Sequence, residues 1–173
     1  MGNVDFNNEN IEQDELSIEE NLILVKEKVV SREEIIRRLG RLLYENSFVR
    51  DTYIQAVLDR EIEYPTGLQA RVTGVAIPHT DTEHVLKPAV AIATLEDPVI
   101  FNGMGMPDTE VEVDIILMLA IHDPKLVVHI LRKVIFILED DHALKKMRSA
   151  KTKSEIKDIM FNHIRSVTEK KHL

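Results

Sequence analysis

Seven histidines are the residues of this 173-residue chain best suited to chemistry, because it has no cysteine and therefore no thiolate nucleophile, disulfide or thiolate zinc site. His79 stands out by its context. It follows Gly74-Val75-Ala76-Ile77-Pro78 and precedes Thr80-Asp81-Thr82, and Pro78 keeps Ile77 extended and ends any strand at that point. The imidazole is thus predicted at a strand terminus among polar neighbours, where a scaffold rather than a mobile loop fixes the ring. A neutral imidazole held in this way is both a nucleophile and a leaving group near neutral pH. A polar turn histidine with no chemical part fits the same residues, so composition alone leaves both readings open.

A second chemistry comes from His79 and His84, five residues apart with Asp81 and Glu83 between them, which suggests metal-dependent hydrolysis. The pair lacks the helical i, i+4 spacing of zinc-binding histidines and has no thiolate support, so neither a metal nor a cofactor is expected. Gly103-Met104-Gly105 has the small residues of a phosphate loop but continues with Met-Pro-Asp instead of opening a helix. It reads as a loop between strands.

The elements that must position His79 follow from period and punctuation. Leu22-Ile23-Leu24-Val25 suits a short strand, and Ser31-Arg32-Glu33-Glu34 is a capping box that opens a helix with Ile35, Ile36, Leu39, Leu42 and Leu43 on its buried face. Asp51 is expected to cap a second helix carrying Tyr53, Ile54, Val57 and Leu58. That helix must stop before Tyr64-Pro65-Thr66-Gly67, which places Asp59-Arg60-Glu61 in its last turn. The Val- and Ile-rich runs Val72 to Ile77, Ala89 to Leu95 and Val111 to Ile121 read as strands of one sheet, the third covered on both faces. Asp123-Pro124 starts a helix whose buried face is Leu126, Val127, Ile130, Leu131, Val134, Ile135 and Leu138. Asp140 or Asp141 starts another, and the capping box Thr152-Lys153-Ser154-Glu155 a last one with Ile156, Ile159 and Met160. Helices, then strands, then helices, with a βα step at residues 111–139, predict an α/β fold with a mixed parallel and antiparallel sheet flanked by helices.

Composition narrows the class further. With 44% apolar and 30% charged residues the chain is globular in type, and 30 Asp and Glu against 22 Lys and Arg leave it at −8. Residues 1–20 carry seven acids and no Lys or Arg, so residues 1–16 are expected to form a disordered acidic tail and 17–173 a single domain. An acidic chain is a poor partner for nucleic acid or an anionic membrane, and the basic cluster from Lys145 to Lys157 reads as a solvated helix face. No apolar run approaches the ~20 residues of a spanning helix. The start of the chain lacks the basic and apolar segments of a signal peptide, so the cytoplasm is the expected location.

The segment Gly-Val-Ala-Ile-Pro-His-Thr at 74–80 resembles the phosphorylation-site motif of enzyme IIA domains of the sugar phosphotransferase system, fructose and mannitol type. Ala56-Val57-Leu58-Asp59-Arg60-Glu61 and Tyr64-Pro65-Thr66-Gly67 resemble the helix end and loop before that motif, the Pro-Thr-Gly form being similar to the galactitol-type branch. Phe101 with Gly103-Met104-Gly105, and Ile116 to Ile121, resemble the later strands, so the likeness runs from about Leu22 to His163. It implies the three-layer α/β/α sandwich of mannitol-type enzyme IIA and a cytoplasmic phosphotransferase. His79 would accept a phosphoryl group from phospho-HPr, as tele-phosphohistidine, and pass it to an enzyme IIB partner, where a cysteine is the usual acceptor. Through that partner it would serve a membrane enzyme IIC, with a galactitol-type permease the nearest match. The resemblance also makes Arg60 the cation that stabilises the phosphoryl oxygens, in place of a solvated helix-end arginine. Where mannitol-type domains carry a second site histidine this chain has Val127. His129 lies two residues on, roughly 200° around a helix. His122, at the end of the third strand, is a further candidate to line the site. A regulatory module of the same fold, whose His79 phosphorylation state controls a protein partner, is the alternative. With no cysteine here, the next acceptor must lie outside these 173 residues.

Overall fold

The computed structural model describes residues 16–169, with side chains described as far as residue 164. The predicted acidic tail therefore lies outside the described residues, its last position excepted. Ten elements follow in the order β1 (Ile23–Glu27), α1 (Arg32–Glu45), α2 (Tyr53–Glu63), β2 (Gly67–Gln69), β3 (Gly74–Ala76), β4 (Ala89–Gly103), β5 (Met106–Ala120), α3 (Val127–Leu138), α4 (Asp141–Ser149) and α5 (Lys153–Glu169), with single 3-10 turns between some of them.

The five strands form one mixed sheet. β4 and β5 are its antiparallel backbone, pairing from Ala89↔Ala120 to Gly103↔Met106. β1 runs parallel to β4, and β3 runs parallel to β5 on its far edge. β2 lies antiparallel to β3 and touches the distal end of β4 through Gly67↔Gly103. Side chains alternate along the central hairpin with the period of two that a pleated strand imposes. Ala89, Ala91, Ala93, Ile116, Met118 and Ala120 pack with Ile35, Ile36, Leu39 and Leu43 of α1 and Val57 of α2. Val90, Ile92, Ile115, Leu117 and Leu119 pack instead with Ile130 and Val134 of α3, Leu144 and Met147 of α4, and Ile156 and Met160 of α5. The sheet is thus covered on both faces, as the near-continuous apolar sequence of β5 predicts.

Both predicted caps form, with each glutamate reaching back to the N–H of the residue before the cap and not to the cap's own. The Glu34 N–H donates to Ser31 Oγ at 3.1 Å and the Val30 N–H to Glu34 Oε2 at 2.9 Å; Thr152, Glu155 and the Lys151 N–H repeat the pattern at 3.1 and 2.9 Å. Asp140 caps α4 by accepting from the Ala143 N–H, and Asp123 accepts from the Lys125 N–H ahead of α3.

Four expectations are corrected. Asp51 does not cap α2: Thr52 holds the cap position without a side-chain bond, because its hydroxyl is engaged with the His84 ring at 2.8 Å. The strand expected at Val72 to Ile77 shortens to Gly74–Ala76, since Ala70 and Thr73 close a turn that folds β2 against it. The two later strands lengthen into a 15-residue pair, and Glu96-Asp97-Pro98, which reads as a break, is absorbed where the ladder shifts register between Thr94 and Val99. A bulge tolerates a proline that an unbroken ladder would not. Finally, α3 buries Ile130, Val134 and Ile137 and leaves Ile135 47% exposed: packing on the sheet rotates the buried stripe away from the position directly opposite His129, Arg132 and Lys133. Gly103-Met104-Gly105 is, as expected, a turn between strands, and Gly105 supplies the positive φ of 72° that it needs.

Candidate active site

β3 leads straight into the His79 segment. Gly74 opens it, and a Cβ at that position would collide with the Glu112 carbonyl oxygen of β5, so only glycine lets the two strands approach this closely. Two backbone bonds then hold the exit: the Ile77 N–H donates to the Thr66 carbonyl at 3.3 Å, and the Leu119 N–H of β5 donates to the Pro78 carbonyl at 3.0 Å.

On this rigid exit the ring of His79 is partly buried, and its Nδ1 lies 2.8 Å from the Ile77 carbonyl oxygen. A carbonyl only accepts, so Nδ1 carries the proton and Nε2 is left with its lone pair. Burial lowers the His79 pKa below its ordinary value, and the positive charge of Arg60 lowers it further. The bond to Ile77 and the negative charge of Asp81 oppose these effects without reversing them. The resting ring is therefore neutral at neutral pH, with a fixed tautomer, the state a nucleophilic nitrogen requires.

Arg60 comes from the last turn of α2, as expected. The helix is registered on the site through Tyr53, whose buried hydroxyl donates to the Leu119 carbonyl at 2.7 Å, on the same residue whose N–H holds Pro78. The Arg60 guanidinium stands over the Tyr64 ring, 5.4 Å from its centroid, and Nη1 reaches Asp81 Oδ1 at 3.5 Å. Its Nε–H is buried with no hydrogen-bond partner among the described residues. A donor fork that is pre-oriented by an aromatic face and weakly engaged by an exposed carboxylate is free to take an anion.

The remaining histidines separate. His84 binds Thr52 and lies 3.5 Å from Glu83, tying its turn to the start of α2 rather than joining His79. Among the described residues no group of three His, Asp or Glu side chains is arranged to hold a metal ion. Because β3 and β5 are parallel, His122 follows β5 at the same end of the sheet as His79, partly buried, whereas His129 is exposed on α3. A cavity of about 570 Å³ between α4 and α5, lined by Asp140, His142, Lys146, Asp158 and His163, contains neither His79 nor Arg60. What sequence reasoning did not assign a role is Glu61, whose carboxylate accepts from both the N–H and the hydroxyl of Thr66. The signal was a carboxylate on the helix end five residues before a threonine, legible only once the loop is folded.

Residues 17–163 match the family model described as phosphoenolpyruvate-dependent sugar phosphotransferase system, EIIA 2. The galactitol-specific EIIA component of the phosphotransferase system of Escherichia coli strain K12 is 29% identical over 103 residues, which cover 60% of this chain and 68% of that protein. Among solved structures, enzyme IIAMTL in its complex with phosphorylated enzyme IIBMTL from Escherichia coli superposes with a TM-score of 0.71 at 22% identity, covering 86% of this chain and 99% of that one. Enzyme IIA mannitol of the same organism gives 0.70 at 24% identity, covering 84% and 99%. These two likenesses establish the fold. No helix among the described residues is long and apolar enough to cross a membrane.

Proposed function

The chain belongs to the EIIA 2 family of the phosphoenolpyruvate-dependent sugar phosphotransferase system, whose members transfer phosphoryl groups through histidine, and we propose that in this chain the transferring histidine is His79. The observation that carries this reading is the 2.8 Å bond from Nδ1–H to the Ile77 carbonyl, which leaves Nε2 unprotonated at the end of a rigid strand.

The Nε2 lone pair attacks the phosphorus of the phosphohistidine on HPr. As the new N–P bond forms, the donor's N–P bond breaks and its electron pair returns to the donor imidazole. The acceptor ring keeps its Nδ1 proton and becomes cationic, and the Ile77 carbonyl is placed to stabilise that charge. In the second half-reaction the thiolate of an enzyme IIB cysteine attacks the same phosphorus, and the electron pair of the broken bond goes back to Nε2. Arg60 stabilises the three transferring oxygens in both directions, exchanging its long contact with Asp81 for the phosphoryl group.

Both the donor and the acceptor are proteins, and a partly buried histidine at the end of a strand suits them better than an enclosed pocket. The Pro65-Thr66-Gly67 loop and the galactitol-specific relative favour a galactitol-type enzyme IIB, and through it enzyme IIC, within a cytoplasmic relay. Residues 17–173 act as a single domain on this reading. Phosphorylated chain mixed with enzyme IIB of the galactitol and of the mannitol systems tests the assignment: faster transfer to the galactitol partner supports it, and preference for the mannitol partner contradicts it.

A further inference from the structure

Glu61 is the one charged side chain that is buried among the described residues, 4% exposed, and no cation is bonded to its carboxylate. A lone buried carboxylate is costly to keep, and a threonine loop needs none to hold it. Its bonds lead to the site in three steps. Oε1 accepts from the Thr66 N–H at 2.8 Å and Oε2 from the Thr66 hydroxyl at 2.9 Å. The Thr66 carbonyl accepts from the Ile77 N–H at 3.3 Å, and the Ile77 carbonyl accepts from His79 Nδ1–H at 2.8 Å. An ionised carboxylate accepts at both oxygens, so it holds residue Thr66, whose carbonyl holds the N–H of Ile77, the residue whose own carbonyl accepts from the imidazole.

Resting on the reading of His79 as the phosphoacceptor, we infer that Glu61 is a positioning residue of the relay: through Thr66 and the Ile77 peptide its carboxylate sets the His79 ring without touching the phosphoryl group. Protonating Glu61 at Oε2 turns that oxygen into a donor to the Thr66 hydroxyl, reversing that bond, and leaves the Thr66 N–H on a neutral acceptor that holds it less strongly than a carboxylate does. Burial pushes Glu61 up to about 7, opposed by the Thr66 bonds, so this exchange falls in the neutral range. Arg32, Glu33 and Arg37 of α1 and Asp59 of α2 line the same small cavity of about 150 Å³; Arg32 favours the carboxylate and Glu33 opposes it.

The test compares the full chain with Glu61→Gln, measuring His79 labelling by phospho-HPr against pH and, separately, the imidazole nitrogen resonances of the unphosphorylated chain. The parent rate should fall as pH drops through about 7, before His79 itself protonates. Glu61→Gln should lack that upper step and run about tenfold slower at pH values above it. In the parent the His79 nitrogens should inflect near pH 7 as well as at their own ionisation. An unchanged rate and profile in Glu61→Gln, or a single inflection in the parent, overturns the inference. The nitrogen titration needs no variant, so a Glu61→Gln chain that misfolds does not shelter it. A parent that takes no phosphoryl group refutes the role of His79 instead, and the nitrogen titration then judges the Glu61 link alone.

Discussion

The Nδ1 of His79 stands 2.8 Å from the carbonyl oxygen of Ile77, two residues earlier on the same strand exit, and this bond alone determines which ring nitrogen is free to react. Everything around it fixes that carbonyl: Gly74 brings β3 against β5, Leu119 holds Pro78, and Thr66 holds Ile77.

The first prediction is the titration of His79. Burial and Arg60 lower its pKa, so its midpoint by nuclear magnetic resonance should lie below the ordinary 6.5, and labelling should fail once the ring is charged. The sign for stability follows. A ring that prefers to be neutral when folded contributes fully above about pH 6.5, and its contribution is lost as pH falls below that toward the folded value. A midpoint at or above 6.5 contradicts the burial described for the ring.

Arg60→Ala should slow transfer to enzyme IIB by roughly 10- to 100-fold, the range for removing one oriented donor from a developing charge. Stability should move by less than about 0.5 kcal/mol, since a long ion pair with an exposed aspartate contributes little. Arg60→Lys should recover only a small part of the rate, because an ammonium lacks the planar fork. Stopped reactions and denaturant unfolding check the two halves, and unchanged transfer removes Arg60 from the site.

Tyr53→Phe should cost about 1–2 kcal/mol, because it strips the buried Leu119 carbonyl of the hydroxyl that donates to it. Burial raises the Tyr53 pKa, so the hydroxyl stays protonated and its donation does not change across the working pH range. Urea unfolding at constant slope is the measurement.

Glu61→Gln carries the opposite sign. With its pKa raised from 4.5 to about 7, Glu61 is least costly to the fold below pH 4.5, and that advantage is lost as pH rises through 7. The variant should therefore be more stable than the parent above pH 7, by on the order of 2 kcal/mol, and show no gain below pH 4.5. Greater stability together with slower relay is the pattern expected of a group retained for positioning; a loss of both marks a structural role only.

Much of the fold is local and was legible. Ser31 with Glu34, Thr152 with Glu155, the apolar run of β5 and Pro78 after Ile77 each act within a few residues, so helix starts, the central strand and the place of His79 follow from the chain itself. What was not legible depends on contacts distant in sequence. Glu96-Asp97-Pro98 looks like the end of a strand until β5 pairs across it. The polar residues His129, Arg132 and Lys133 place Ile135 on the buried side of α3, and only its packing on the sheet turns Ile137 inward in its place. Glu61 is an ordinary helix-end acid until Thr66 folds back over it. The tautomer of His79 is likewise a product of where the Ile77 carbonyl comes to rest.

The most direct test is to incubate the chain with phosphoenolpyruvate, enzyme I and HPr and read its intact mass before and after mild acid. One acid-labile phosphoryl group on the parent chain and none on a folded His79→Ala variant is the predicted result. Labelling of His79→Ala at the parent's rate would contradict the central claim.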